Sequence, residues 1–407
     1  MPDHAAPQSQ ITPVPGWTEF LDALRDLPER ILARLPEAQQ QDSQLRQEAA
    51  RLALSALAAG TLDALASDPD HPVFVPQINN YITLGQPNAD TNYRSCKITP
   101  GGTYRLRGRR GNMNQANIAE AGPRPKQVEG SVNLGAPRPV HNINALSVDA
   151  QGRYDVILSP TRPDGYTGDW WQLDPTSNAL LVRLVGSAWG EEIEPTLSIE
   201  RLDISAPRPR RPAAVLEANL RGIAPFASFI APLLVDRPEK LRAEGFVNKL
   251  KAVDFSQMGG LKGQFYYEGA FELADDEALI IETTVPETYV YRSLILTSDI
   301  YETIDWYNNH STLNGAQAEV DSDGILRIVV SARDPSVPNW LDTSGYRTGV
   351  IQGRWVDCSS EPVPSIRKVA FADIAKSLPA DTPSITPEER DRIVRDRRAA
   401  LQQRPLW

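Results

Sequence analysis

Three stretches gather side chains able to move protons or hold a polar ligand. Asn88–Arg94, NADTNYR, sets Asp90, Asn92, Tyr93 and Arg94 just before a strand. Trp306–Gln317, WYNNHSTLNGAQ, places His310 after two asparagines and ahead of Asn314. Asp334–Asp357, DPSVPNWLDTSGYRTGVIQGRWVD, carries Trp340, Asp342 and Arg347 on a loop stiffened by Pro335 and Pro338, and Arg354 on the strand that follows. Two carboxylates at a suitable separation can divide the work of acid and base, or of nucleophile and acid. Asp342 and Asp90 are therefore the expected acid/base pair, with Tyr93 or His310 assisting. Imidazole suits the assisting role because it titrates near neutrality. Arg94, Trp170, Asn314, Trp340 and Arg354 are the expected substrate-binding side chains. Trp170, beside Trp171 and flanked by Asp169 and Asp174, would give a flat aromatic platform.

Each of these residues also has a plainer reading. The Asp and Asn of NADTNYR can bond their own backbone in a turn. One of two adjacent strand tryptophans must face the core, since neighbours on a strand point opposite ways. His310 can be a surface histidine with no special role. Trp340 can be core, with Asp342 capping a turn at a structural corner.

Several chemistries lack their residues. The four histidines, His4, His71, His141 and His310, stand far apart, and there is no HExxH, HxH or CxxC. No resident metal or other cofactor is expected, although a calcium site built from loop oxygens stays open because such ligands need no fixed spacing. A P-loop, a GxGxxG opening a helix and a GxSxG elbow are all missing. A net charge of −10 leaves no basic face for phosphates, so no nucleic-acid partner is expected. Cys96 and Cys358 are expected as free thiols of a cytoplasmic protein. The N-terminal MPDHAAPQSQ has neither a basic nor an apolar signal region. No apolar run approaches the ~20 residues that span a bilayer, so no membrane partner is expected. The expected partner is a small-molecule substrate, with a homo-oligomer possible.

The elements that must position these groups can be read from period. Phe20, Leu24, Leu27, Ile31 and Leu35 recur at helical spacing, with Pro28 either kinking that helix or opening a second one. A longer helix over 42–66 follows, with Leu45, Ala49, Leu52, Leu62 and Leu65 inward. From Phe74 the period falls to two. Strands are expected at Tyr104–Gly108, Ala179–Gly186 and Thr196–Asp203, with a hairpin of Leu146–Val148 and Tyr154–Ser159. The APRPRRP run at Ala206–Pro212 reads as a stiff linker. Several short helices broken by Pro225, Pro232 and Pro238 should follow it. Strands resume at Gly263–Phe271, Ala278–Val285 and Thr288–Leu296, then a hairpin of Ala316–Val320 and Ile325–Ser331 around Asp321–Gly324. The strand Gly349–Asp357 puts Val350, Gln352, Arg354 and Val356 on one face, and Ile351, Gly353 and Trp355 on the other. A charged helix over Pro387–Gln403 ends the chain, and no internal repeat is visible. The expected divisions are 1–72, 73–205, 206–262, 263–360 and 361–407.

The run PNWLDTSGYRTGVIQGRWV, preceded by NGAQAEVDSDGILRIVVSARDP, resembles the C-terminal signature of a bacterial family, the domain of unknown function numbered twelve-fourteen. The likeness extends to NADTNYRSCKITPGGTYRLRGRRG and to DWWQLDPTSNALLVRLVGSAWGEE. It implies a jelly-roll-like β-sandwich preceded by helices. The expected class is thus α+β: jelly-roll-like antiparallel β-sandwich layers, an N-terminal helical segment and short linking helices. The expected function is a metal-independent enzyme, of hydrolase or lyase type, acting on a small or medium organic substrate such as a glycoside or alicyclic compound. The alternative is a non-catalytic carbohydrate- or small-ligand-binding protein.

Overall fold

Strands that alternate apolar and polar side chains bury one face each, and here two sheets close on those faces twice over. The computed structural model describes residues 12–123, 138–255 and 263–405. In the first sandwich a five-stranded sheet runs in the order β1 (Val75–Pro76), β2 (Thr91–Lys97), β8 (Ala179–Val185), β4 (Gln115–Ala121), β5 (Val140–Asn142). Against it lies a four-stranded sheet ordered β7 (Asp169–Gln172), β6 (Arg153–Ser159), β3 (Tyr104–Arg109), β9 (Ser198–Arg201). Their inner faces share one core that includes Cys96, Leu106, Ile118, Val156, Leu158, Val182 and Leu184.

The second sandwich repeats the first. Its five-stranded sheet is β10 (Lys251–Val253), β11 (Gln264–Glu272), β17 (Thr348–Val356), β13 (Tyr291–Thr297), β14 (Thr312–Asn314). Its four-stranded sheet is β16 (Trp340–Asp342), β15 (Ile325–Ser331), β12 (Glu277–Thr284), β18 (Ser365–Ala370). Each strand of the first unit has its counterpart nine strands later, in the same place and order. The match includes the parallel pair, β6 with β7 and β15 with β16, in otherwise antiparallel sheets. Even side-chain detail recurs: the Trp170 indole donates to Ser159 Oγ at 3.0 Å, and the Trp340 indole to Ser331 Oγ at 3.0 Å. The chain is therefore an internal duplication, which corrects the expectation of no repeat.

The helices form a third body. Pro28 opens a second helix, so α1 (Trp17–Leu24) is followed by α2 (Leu27–Leu32), and then by the short α3 (Glu37–Gln40) and by α4 (Ser43–Ala66). Between the repeats runs α5 (Ala213–Ala243), a single helix through Pro225, Pro232 and Pro238 where several short ones were expected. An interior proline costs about 3 kcal/mol. Close packing offsets that cost: Ala227, Ala231 and Val235 share a core with Leu52, Ala53 and Ala56 of α4. The approach is tight enough that a Cβ on Gly60 would stand 3.1 Å from the Phe226 ring. Leu65, expected inward, is 72% exposed. By length and composition alone α4 and α5 are both long and apolar enough to cross a membrane, a property that a search for uninterrupted apolar runs overlooks. The last helix, α6 (Pro387–Gln402), begins with a capping box between Thr386 and Glu389. Cys96 and Cys358 are both free.

Candidate functional site

Alternation on β17 decides where the polar side chains go. Ile351, Gly353 and Trp355 face the sandwich interior, where a Cβ on Gly353 would lie 2.2 Å from the Tyr267 ring. Gln352, Arg354 and Val356 face outward, in register with Glu268, Tyr266 and Gln264 of β11, and with Ile295, Ser293 and Tyr291 of β13. This outer face is buried although polar: Tyr266, Glu268, Tyr291, Ser293, Asn314, Gln352 and Arg354 are all at most 8% exposed. The first repeat covers one end of it. Val185, on the outward face of β8, packs against Tyr291 and Val356, so the two five-stranded sheets meet outer face to outer face.

Arg354 sits at the centre of that face. Its Nη2 donates to Gln352 Oε1 at 2.8 Å, its guanidinium lies 5.0 Å from the Tyr266 ring centroid, and its Nε has no hydrogen-bond partner among the described residues. Burial works against its charge, but the surrounding Tyr266, Tyr291 and Tyr93 phenols and Asp90 more than compensate, and its pKa rises. Gln352 continues a polar chain through the Tyr301 hydroxyl to Glu268, which is ion-paired with Arg237 of α5.

Asp90 joins the two repeats. Its Oδ1 accepts from Trp189 Nε1 and Asn314 Nδ2, both at 2.7 Å, and its Oδ2 from the Tyr291 hydroxyl at 2.5 Å. Asn88 Nδ2 donates to the same hydroxyl at 2.9 Å. Burial raises the Asp90 pKa; these donors and nearby Arg404 only partly oppose it. Burial and Asp90 together push the Tyr291 phenol well above its ordinary value. From α6, Arg397 covers the Trp189 ring at 4.5 Å and donates to Thr312 O and Oγ1, both at 3.1 Å. Arg404 donates to Ala89 O and Gly186 O.

Of the expected site residues, Asp90, Tyr93, Asn314 and Arg354 come together here. Tyr93 lies on the outward face of β2, within electrostatic reach of Arg354. The others do other work. Arg94 pairs with Glu194 and reaches the Pro405 carbonyl, each at 3.4 Å. Trp170 is half-buried at the edge strand β7. Trp340, its counterpart, is 6% exposed and offers no open platform. It lies between the Arg390 guanidinium, 5.0 Å from its ring, and the parallel ring of His310 at 6.2 Å. His310 is buried, with Nδ1 donating to Trp340 O at 2.5 Å. Burial, then Arg397 and Arg390, pull its pKa well below 6.5. It is a neutral imidazole, not a surface histidine.

Asp342 closes a local turn, the plainer of its two expected readings. Its Oδ1 accepts from Ser344 N at 2.7 Å, closing a turn, and Asp174 does the same for Thr176 N in the first repeat. No hydrogen bond joins Asp342 to Asp90 among the described residues. Asp342→Asn keeps the acceptor, so it should change stability by less than about 1 kcal/mol in chemical denaturation; a loss several times larger would give this carboxylate a further task.

Trp189, Tyr291, Tyr266 and Arg397 escaped sequence reasoning. A signal for the last existed: Arg390, Arg397 and Arg404 recur every seven residues, the first two along one stripe of α6 and the third just beyond its end. Among the described residues no cluster of three His, Cys, Asp or Glu could hold a metal ion. Two surface cavities, of about 210 and about 1160 Å³, are lined by none of the expected site residues.

No family model matches the sequence, and no curated protein is significantly similar to it. Among solved structures, the chain is similar to an uncharacterized protein from Burkholderia cenocepacia. That match has a TM-score of 0.79 and 27% identity, over 88% of this chain and 97% of that one. The VPA0106 protein from Vibrio parahaemolyticus aligns over 85% of this chain and 100% of its own, with a TM-score of 0.45 and 10% identity.

Proposed function

We propose that this protein binds a small organic acid between its two repeats, with Arg354 as the anchor. The observation that carries the reading is a guanidinium buried in a tyrosine-lined sheet face, with one N–H unpartnered among the described residues and a neutral amide as its hydrogen-bond acceptor. A buried charge is ordinarily matched by a counter-charge, because desolvation alone costs several kcal/mol. Asp90 already accepts three side-chain hydrogen bonds. A carboxylate suits the planar fork of an arginine, and the Tyr266 ring holds that fork in place. This is the small-ligand form of the binding reading, and the family resemblance of the PNWLDTSGYRTGVIQGRWV run belongs to the same proposal.

The enzyme reading keeps one support: the buried Asp90 carboxyl bonded to a phenol, both with raised pKa. Asp342, the other member of the expected carboxylate pair, is held in its own turn by Ser344 N. Calorimetric titration with simple carboxylic acids and neutral glycosides separates the readings. Acids should bind, and Arg354→Gln should weaken them by on the order of a hundredfold. Binding of neutral glycosides alone, or acid binding indifferent to Arg354→Gln, would sink the proposal.

A further inference from the structure

The duplication repeats a cavity as well as a sandwich. Asp169, just before Trp170, accepts from Ser147 N at 2.7 Å; Asn339, just before Trp340, accepts from Glu319 N at 3.0 Å. The turns beside them also match, with Gly152 N donating to Asp149 O and Gly324 N to Asp321 O, both at 2.9 Å. Each repeat has a cavity against this corner, walled by Val148 and Asp149 or by Val320 and Asp321, and by residues 167–169 or 337–339. The two differ in their cover. In the second repeat the chain beyond β18 turns back over the sheet, and Phe371, Ile374 and Leu378 pack with Ala278, Ile280 and Val329. Leu378, Asp381, Thr382 and Pro383 then wall a cavity of about 210 Å³. In the first repeat the chain beyond β9 leaves for α5. No described residue beyond Ser198 lines its cavity, which measures about 1160 Å³.

We propose that the open cavity of the first repeat docks an acidic, proline-bearing peptide segment of a partner protein, seated as Leu378, Asp381 and Pro383 are seated in the second. Charge selects the occupant. The cavity has three carboxylates, and each is already engaged: Asp155 with Arg105, Asp149 with Arg153, and Asp169 with the amide and hydroxyl of Ser147. Arg107 pairs with Glu200. That leaves Arg109, exposed at the end of β3, whose side chain has no hydrogen bond or ion pair among the described residues. It stands directly opposite Arg153 in the β3–β6 ladder. Like charges so placed repel, and a carboxylate set between them replaces that repulsion with charge-assisted hydrogen bonds. The size of the cavity, about 1160 Å³, also exceeds the roughly 300–1,000 Å³ typical of a small-molecule pocket. The cavity lies on the four-stranded sheet of the first sandwich, whereas Arg354 meets the five-stranded one, so this inference stands apart from the acid-binding reading.

The test is fluorescence anisotropy of capped, dye-labelled hexapeptides with the full-length protein. One peptide has the covering sequence LPADTP, one an acidified form, LPEDEP, and one a neutral form, LPANTP. LPEDEP should bind about tenfold or more tighter than LPANTP, with LPADTP between them. The difference should shrink in about 1 M salt, where exposed charges are screened. Arg109→Gln, at an exposed position, should remove most of the preference for LPEDEP, and Arg109→Glu should reverse it. Amide exchange should slow over residues 147–155 when LPEDEP binds, and stay unchanged over 319–327. Equal binding of the three peptides, no binding of LPEDEP at millimolar concentration, or an Arg109→Gln protein with the wild-type preference would overturn the proposal. So would free glutarate that binds as tightly as LPEDEP and displaces it, since the cavity would then be a pocket for small anions.

Discussion

Asp90→Ala should destabilise the protein by about 3–5 kcal/mol, because it orphans three buried donors at once. The Trp189 indole, the Asn314 amide and the Tyr291 hydroxyl all end on this carboxylate. Each unsatisfied buried polar group costs roughly 1–3 kcal/mol, and partial rearrangement keeps the sum below the simple total. Asp90→Asn should cost less, since it retains one acceptor while turning an N–H toward groups that also donate. The location of the bonds gives a sharper signature than their number. Asp90 belongs to the first repeat, Tyr291 and Asn314 to the second, and Trp189 to the segment after β8. Cutting the cluster should uncouple the sandwiches, so denaturant unfolding followed by tryptophan fluorescence should broaden or split into two steps. Asp342→Asn is the control, because its carboxylate serves a local turn. An Asp90→Ala protein that unfolds in one step at the wild-type midpoint would show that the interface is held elsewhere.

Local rules succeeded where packing agreed with them. The alternation of β17 gave both faces correctly, one apolar for the core and one carrying Gln352 and Arg354, and Pro28 marked a helix start. The same rules failed where a distant partner overrode them. Prolines did not break α5, because the alanine-lined contact with α4 holds it. The turn at Asp321–Gly324 forms, with Gly324 N donating to Asp321 O at 2.9 Å and Gly324 at φ 81°. Its leading arm is not a strand. The Asn339 amide bonds both Glu319 N and Glu319 O, taking the place of a ladder, and Ile325–Ser331 pairs with β12 and β16 instead. Leu146–Val148 likewise forms no strand; β6 lies between β3 and β7. The duplication was hidden for a related reason. Its conserved features are pairs across strands, Tyr93 with Arg183 and Tyr266 with Arg354, and a linear reading cannot align residues that meet only after folding. Asp90 and Arg354 could be picked out by residue type; the reason they matter could not.

Acid should loosen the protein through His310, and the sign follows from its environment. Burial and the two arginines of α6 hold the folded pKa well below the unfolded value near 6.5. The unfolded chain therefore binds the proton first as pH falls. The stabilising contribution is complete above about 6.5 and shrinks below it by about 1.4 kcal/mol per pH unit, until the folded imidazole also titrates. Buried Asp90 and Asp342 act in the opposite direction: their pKa values are raised by desolvation, so their contribution is present at low pH and lost as pH rises through the folded value. Subtracting the stability–pH profile of His310→Gln from that of the wild type isolates the imidazole, because the carboxyls are common to both. The difference should be flat above about pH 6.5 and slope downward beneath it. Protonation also sets a third cation beside Arg390 and Arg397, so strain should fall first on α6, whose arginines cover Trp340 and Trp189. Amide exchange at pH 5 should rise over α6 before it rises over β13 and β17, and should stay low there in His310→Gln. Equal protection of α6 at pH 5 and pH 7.5 would mean that the helix is held by contacts indifferent to the imidazole charge.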